Sequence, residues 1–426
     1  MGTSIELTVG GVSLDYAKNH MGMDWGHLFQ DGDLVRRRTS AINYDYYAEH
    51  PQEIAELEIA ELTFIRPLSR VLPRLNLLGY SLEVARAEYQ AVLSEVAAFD
   101  LDCDDDSTSN QALTFEEFCA LANRYPLAEL SENYVEYETE NRDIVSQGRL
   151  FEYANEFSRI PRTVTSGLYW SEKSYLSDKL CILSAPSMIQ IFGLNPANAN
   201  AEVEWEFGPI AHAGWVERDA FQAGANRLQA VLVATEGASD ARILRRALDV
   251  LRPDVADFFR FIDGDERHHF WGTGNLVKFA EGLVRIDIQN RVLFLFDNDA
   301  EGVDAFRKIQ KLALPSNLRA MVLPSVAELR CFPALGPEGL SVSDINGRAA
   351  AIECYLDLNL PQYPPGRVIW SNYKKEIDAW HGALEHKESY VQHFMEQDEA
   401  SLIGTYDTTK LTKLLDALIS DASQLI

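Results

Sequence analysis

The chain has 426 residues, 46% hydrophobic and 24% charged, and its 38 Lys and Arg against 65 Asp and Glu give a formal charge of −27. That length suggests about two to four domains, and the apolar content argues against disorder throughout. The charge excludes non-specific nucleic-acid binding through a broad basic surface, but not a nucleic-acid enzyme, because charge acts within about 8 Å at physiological salt.

No stretch approaches the ~18 apolar residues of a membrane span. The N-terminus, Met1-Gly-Thr-Ser-Ile-Glu-Leu, lacks the basic-then-apolar layout of a signal peptide. Cys103, Cys119, Cys181, Cys331 and Cys354 are scattered with no CxxC pair, which argues against a disulfide framework or structural zinc and for a reducing, cytoplasmic setting. No membrane association is expected.

Residues 1–45 are expected to form a small β-rich module. Ser4–Val9 alternates, Gly10-Gly11 turns, and Val12–Tyr16 returns. Residues 46–225 are expected to be a mainly helical accessory or partner-binding region. Ile54, Leu57, Ile59, Leu62 and Ile65 recur at helical spacing, as do Leu82, Ala85, Tyr89, Val92 and Val96. The stretch 95–145 is the most acidic, and Asp102–Asp106 reads as a solvated loop. An EF-hand fails there, since position twelve counted from Asp102 is Leu113 and position six is not Gly. Tyr44, Tyr46 and Tyr47 read as packing. Val203–Phe207 alternates like an edge strand.

From about 226 the texture changes. Leu228–Ala234, Phe258–Ile262, Arg291–Phe296 and Leu318–Leu323 read as strands, with helices expected at 238–251, 275–288 and 300–313. Alternating strands and helices imply a mostly parallel, Rossmann-like α/β sheet over 226–360, with functional groups just beyond the C-terminal strand ends. The tail, 361–426, is expected to be helical.

The chemistry lies at two strand ends. The first strand runs into Thr235-Glu236-Gly237-Ala238-Ser239-Asp240, the third into Asp297-Asn298-Asp299-Ala300-Glu301-Gly302. Converging carboxylates repel one another and raise their pKa values unless a cation joins them. Oxygen-only ligands select Mg²⁺ or Mn²⁺ over zinc, and such ions suit phosphodiester chemistry. Helix capping would also place acids at helix starts. His268-His269, His381 and His386 read as surface residues.

Glu-Gly after the first strand and Asp-x-Asp-x-x-Gly after the third resemble the Toprim domain of topoisomerases, bacterial primases and OLD-type nucleases. Gly272-Thr-Gly-Asn-Leu276 resembles the glycine-containing turn after that family's second strand. Ala351-Ile-Glu-Cys-Tyr-Leu356 resembles the Ile-Glu-x-Tyr-Leu stretch of OLD-type nucleases. The resemblance implies a Toprim catalytic domain with Glu236, Asp297 and Asp299 as metal ligands, Asp240 and Glu353 as second-site ligands, and a catalytic Lys at Lys374 or Lys375. Ile5–His20 is similar to the N-terminal module that accompanies HEPN or Toprim effector domains in bacterial conflict systems. No G-x-x-x-x-G-K-[ST] ATPase motif, zinc ribbon or Arg-His HEPN pair occurs.

The resemblance thus implies a Mg²⁺- or Mn²⁺-dependent nuclease acting on DNA or RNA. It implies an antiviral effector gated by a separate ATPase or sensor protein, and allows a homo-oligomer. The alternative is a non-catalytic Toprim-fold scaffold in a defence or DNA-maintenance complex. Residues 224–330 balance fifteen acids with fifteen bases, so the expected catalytic domain is near neutral, with Arg242, Arg245, Arg246 and Arg260 available to guide phosphate.

Overall fold

The computed structural model describes residues 2–102, 111–161, 167–262, 272–375 and 379–425. The chain divides into two compact units, Met1–Gly224 and Ala225–Ile426. Residues 103–110 of the expected acidic loop and the His268-His269 pair lie outside the described residues, and Asp102, expected in that loop, is the last residue of the helix Leu82–Asp102. Among the described residues no helix is long and apolar enough to cross a membrane.

The first unit is built on an antiparallel sheet of β1 (Ser4–Val9), β2 (Val12–Lys18), β3 (Leu34–Arg36), β4 (Leu62–Pro67) and β5 (Glu202–Glu206), in the order β2-β1-β5-β4-β3. Gly10 and Gly11 both have positive φ (55° and 79°), the conformation a two-residue hairpin between twisted strands requires. The sheet draws residues from 1–45 and from 46–225, so the expected module and the expected helical region fold as one unit. Leu62 and Ile65 belong to a strand, where the spacing had suggested a helix.

β5 is the central strand, not an edge. Its Val203 and Trp205 are buried, and Trp205 packs with Phe64, Phe207 and Phe221. Each such buried ring contributes about 2–3 kcal/mol. Its glutamates made it look like an edge. They instead line a wide polar groove of about 1290 Å³ on the opposite face, where Arg37 pairs with Glu202 at 2.9 Å and Glu204 at 3.0 Å. Burial pushes the Glu204 and Glu206 carboxyls above their ordinary range.

The second unit holds β6 (Val231–Ala234), β7 (Phe259–Phe261), β8 (Arg291–Phe296), β9 (Asn298–Asp299), β10 (Leu318–Val322), β11 (Phe332–Gly336), β12 (Gly339–Ser343), β13 (Ala349–Ala350), β14 (Val368–Lys374) and β15 (Ala379–Leu384). β10-β8-β6-β7 form a parallel sheet, as the alternation predicts. Its crossovers contain the helices Ala238–Leu251, Thr273–Arg285 and Ala300–Ile309. Val292, Phe294 and Phe296 are fully buried against Leu276, Ala280, Ala305 and Ile309 of these helices.

The remaining strands do two things. β9 pairs with β13, and β12-β11-β14-β15 make a second sheet. The tail is therefore not wholly helical. Val368–Lys374 and Ala379–Leu384 pair as antiparallel strands, and Val368 and Ile369 join the sheet beside Ala334 and Leu335 of β11. Helices Lys387–Glu396, Glu399–Gly404 and Thr409–Ala422 follow.

Candidate functional site

β6 and β8 are parallel neighbours, with Ala234 opposite Phe294. Their C-terminal ends therefore meet at one sheet edge, and the carboxylates following them come together there. Glu236 is half-buried, and its Oε1 accepts the backbone N–H of Asp297 at 3.1 Å. Asp240 is 9% exposed and sits in the first turn of its helix. There Oδ2 accepts the Gly237 N–H at 3.0 Å and Oδ1 the Ser239 hydroxyl at 3.1 Å.

Asp299 caps the helix that follows it, its Oδ1 accepting the N–H groups of Glu301 at 2.8 Å and Gly302 at 2.7 Å. That tight turn explains Gly302: a Cβ there would stand 2.1 Å from the Asp297 carbonyl oxygen. Gly237, by contrast, is extended at φ −140° and its turn makes no such demand.

Glu353 arrives from far along the chain. Ala349 pairs with Asp299 and Ala350 with Asn298, and the Gly347 N–H donates to the Asn298 side chain at 2.8 Å. The next turn, Ile352–Tyr355, is a short 3-10 helix, and its Ile352 N–H donates to Asp297 Oδ1 at 3.0 Å. Glu353, 6% exposed, is thereby held at the carboxylate cluster, with Lys387 Nζ 3.9 Å from its Oε1.

The electrostatics follow from burial and crowding. Burial, then the Asp299 charge, pushes Glu236 up to about 8. Burial, then Glu353, pushes Asp240 up to about 6. Asp297 is raised well above the ordinary range by burial and by Asp240, Glu236, Asp299 and Glu353, and Asp299 is raised mainly by burial. Four of the carboxylates expected from the sequence are thus raised together, and the charge of the fifth, Glu353, acts on Asp240 and Asp297.

Lys374 lies at the end of β14, its Nζ 2.7 Å from Glu301 Oε1, and this pair holds the Glu301 carboxyl below its usual range. Lys375 is exposed. His381, expected at the surface, is instead half-buried on β15, with Nδ1 3.9 Å from Asp299 Oδ2 and without a hydrogen-bond partner among the described residues. Glu301 and Lys387 were given no role from the sequence, and His381 was read as a surface residue. The β-branched and aromatic run at 368–373 was the signal that could have revealed the strand pair carrying Lys374 and His381. Of the arginines expected to guide phosphate, Arg246 is tied to the Gln397 carbonyl and Arg245 lies 5.8 Å from the Phe261 ring centre, while Arg242 and Arg260 are exposed.

As a donor set, these residues suit a hard divalent cation. Glu236, Asp297 and Asp299 each have one oxygen fixed by a backbone N–H, and the second accepts no hydrogen bond among the described residues. Among the described residues, no group of three His, Cys, Asp or Glu side chains is already gathered closely enough to hold a metal ion.

Fold and site define a two-unit α/β protein with a buried carboxylate cluster at the C-terminal edge of a parallel sheet. Residues 1–229 match the model of the family HEPN/Toprim N-terminal domain 1. The chain belongs to that family, and this domain points to a nuclease-related defence function. No curated protein and no solved structure matches the chain.

Proposed function

We propose that the chain is a Mg²⁺- or Mn²⁺-dependent nuclease with an OLD-like Toprim domain over 226–360. Glu236, Asp297 and Asp299 hold the metal, aided by Asp240 and Glu353. The observation that carries this is the meeting of carboxylates from three separate segments, where burial and mutual charge raise the pKa values of Glu236, Asp240, Asp297 and Asp299. A folded scaffold gains nothing from such crowding, whereas a divalent cation relieves it.

Bound Mg²⁺ or Mn²⁺ supplies Lewis acidity to the attacking water and to the leaving 3′ oxygen. The chain's own residues supply position. The Asp297 amide fixes one Glu236 oxygen, the Ile352 amide one Asp297 oxygen, and the Glu301 and Gly302 amides together one Asp299 oxygen. Lys374, held on Glu301 at the rim, can exchange that ion pair for one with a phosphate oxygen and offset charge there. The first unit is a regulatory or partner-binding platform, and a separate ATPase or sensor gates cleavage in antiviral defence. That biological role rests on analogy with the family.

One observation favours the scaffold alternative, namely that among the described residues no three candidate ligands are already gathered to hold an ion. Cleavage of plasmid DNA and structured RNA with Mg²⁺ or Mn²⁺ separates the two readings. The nuclease cuts at least one substrate, and Glu236→Gln and Asp297→Asn abolish the cutting. Equal activity in all three proteins removes the assigned site, and no cleavage with either ion favours the scaffold.

A further inference from the structure

His381 reaches the carboxylate site from a part of the chain that the acidic motifs do not cover. It lies on β15, opposite Asn372 of β14, and that pairing holds it beside Asp299. Its Nδ1 is closed off from solvent and has no hydrogen-bond partner among the described residues. Buried polar atoms are nearly always paired, and one that is not calls for a water or an ion.

Asp299 presents the matching atom. Its Oδ1 is taken by the Glu301 and Gly302 amides, while its Oδ2 accepts no hydrogen bond among the described residues and stands 3.9 Å from His381 Nδ1. That separation is too long for a hydrogen bond. It suits two ligands of one ion. With each bond about 2.1 Å long, two ligands stand about 3 Å apart when adjacent and at most about 4.2 Å apart when opposite. An imidazole also changes the selectivity of the site. Carboxylates suit Mg²⁺ and Mn²⁺ alike, whereas an imidazole nitrogen favours first-row transition ions over Mg²⁺.

Resting on the metal site of the nuclease reading, we propose that His381 is a nitrogen ligand of that ion, binding through Nδ1 beside Asp299 Oδ2, and that it makes the site prefer Mn²⁺ to Mg²⁺. The pair supplies two of the ion's contacts, and the other carboxylates and waters supply the rest.

The test uses the full chain with a limiting amount of Mn²⁺ and electron spin echo envelope modulation, which detects nitrogen bonded to Mn²⁺. Wild type is expected to show nitrogen coupling and His381→Gln to lose it. His20→Gln, a change at an exposed histidine of the first unit, keeps it. Calorimetric titration with each ion is the second readout. His381→Gln is expected to weaken Mn²⁺ binding about tenfold or more and Mg²⁺ binding less than about threefold. Matching thermal unfolding of the metal-free proteins confirms that the fold is intact, and the wild-type spectrum decides even where a variant does not fold. Coupling that survives in His381→Gln overturns the proposal. So does an equal loss of affinity for both ions, which marks a charge partner of Asp299 and nothing more. Mn²⁺ bound by wild type without nitrogen coupling overturns the ligand and leaves the metal site standing, whereas no Mn²⁺ bound overturns both. Nitrogen coupling that depends on His381, with no cleavage of DNA or RNA in Mn²⁺, leaves the ligand and removes the nuclease reading.

Discussion

The Asp297 N–H donates to Glu236 Oε1 at 3.1 Å, joining residues sixty-one positions apart at the ends of two neighbouring strands. The bond fixes one Glu236 oxygen and leaves the carboxyl among Asp299, Asp240 and Asp297, where burial and charge raise its pKa to about 8. A glutamine retains the acceptor oxygen and removes the charge. Glu236→Gln is therefore expected to fold, to unfold a few degrees higher than wild type without metal at pH 8.5, and to lose about 100-fold or more of its cleavage rate. Calorimetry and a cleavage assay on one preparation check both effects.

The same groups set a pH dependence. A carboxyl whose folded pKa lies above its unfolded value binds more protons in the folded state. Stability is then lost as pH rises, here from about 4.5 toward the 8 of Glu236, with Asp240 contributing up to its value of about 6. Metal-free protein should have a higher Tm at pH 6 than at pH 8.5. Mn²⁺ at pH 8.5 should restore the loss, since an ion that binds only the folded state stabilises it. A flat metal-free Tm across this window contradicts the raised values.

Lys374 and Lys375 should differ. Lys374 is held on Glu301 beside the cluster, while Lys375 is exposed. Steady-state kinetics should show Lys374→Ala lowering kcat by about tenfold or more with a smaller change in KM, and Lys375→Ala changing kcat less than about twofold.

Gly302 has a close neighbour that no side chain tolerates. A Cβ would fall 2.1 Å from the Asp297 carbonyl oxygen, so the loop bearing Asp297 and Asp299 must move. Gly302→Ala should cost about 1–3 kcal/mol in urea unfolding and weaken Mn²⁺ binding.

Charge is divided unequally between the units. Residues 1–224 carry thirty-six acids against sixteen bases, and residues 225–426 twenty-nine against twenty-two. The fragment 225–426, a compact unit with its own core, should bind nucleic acid more tightly than the full chain. The difference should shrink in high salt, as anisotropy titrations at two ionic strengths would reveal.

Much of this was legible in the sequence where period and position agree. The helix expected at 238–251 spans Ala238–Leu251, and the apolar runs at 291–296 and 318–323 are strands of a parallel sheet. Glu236 and Asp297 converge because a parallel sheet brings strand ends to one edge. β5 was misread because Glu202, Glu204 and Glu206 imitate a solvated edge, while the groove and Arg37 that accommodate them come from remote residues. His381 was hidden for a similar reason. Its neighbour Asp299 is eighty-two positions away, and only the pairing of β14 with β15 brings it near.

Mn²⁺ binding by the full chain, measured by isothermal titration calorimetry at pH 7.5, tests the metal site most directly. The expected result is saturable binding to wild type that is lost in Asp297→Asn, whose remaining carboxylates have no central partner. Equal binding by both proteins, or none by wild type, would contradict a divalent-metal site at Glu236, Asp297 and Asp299.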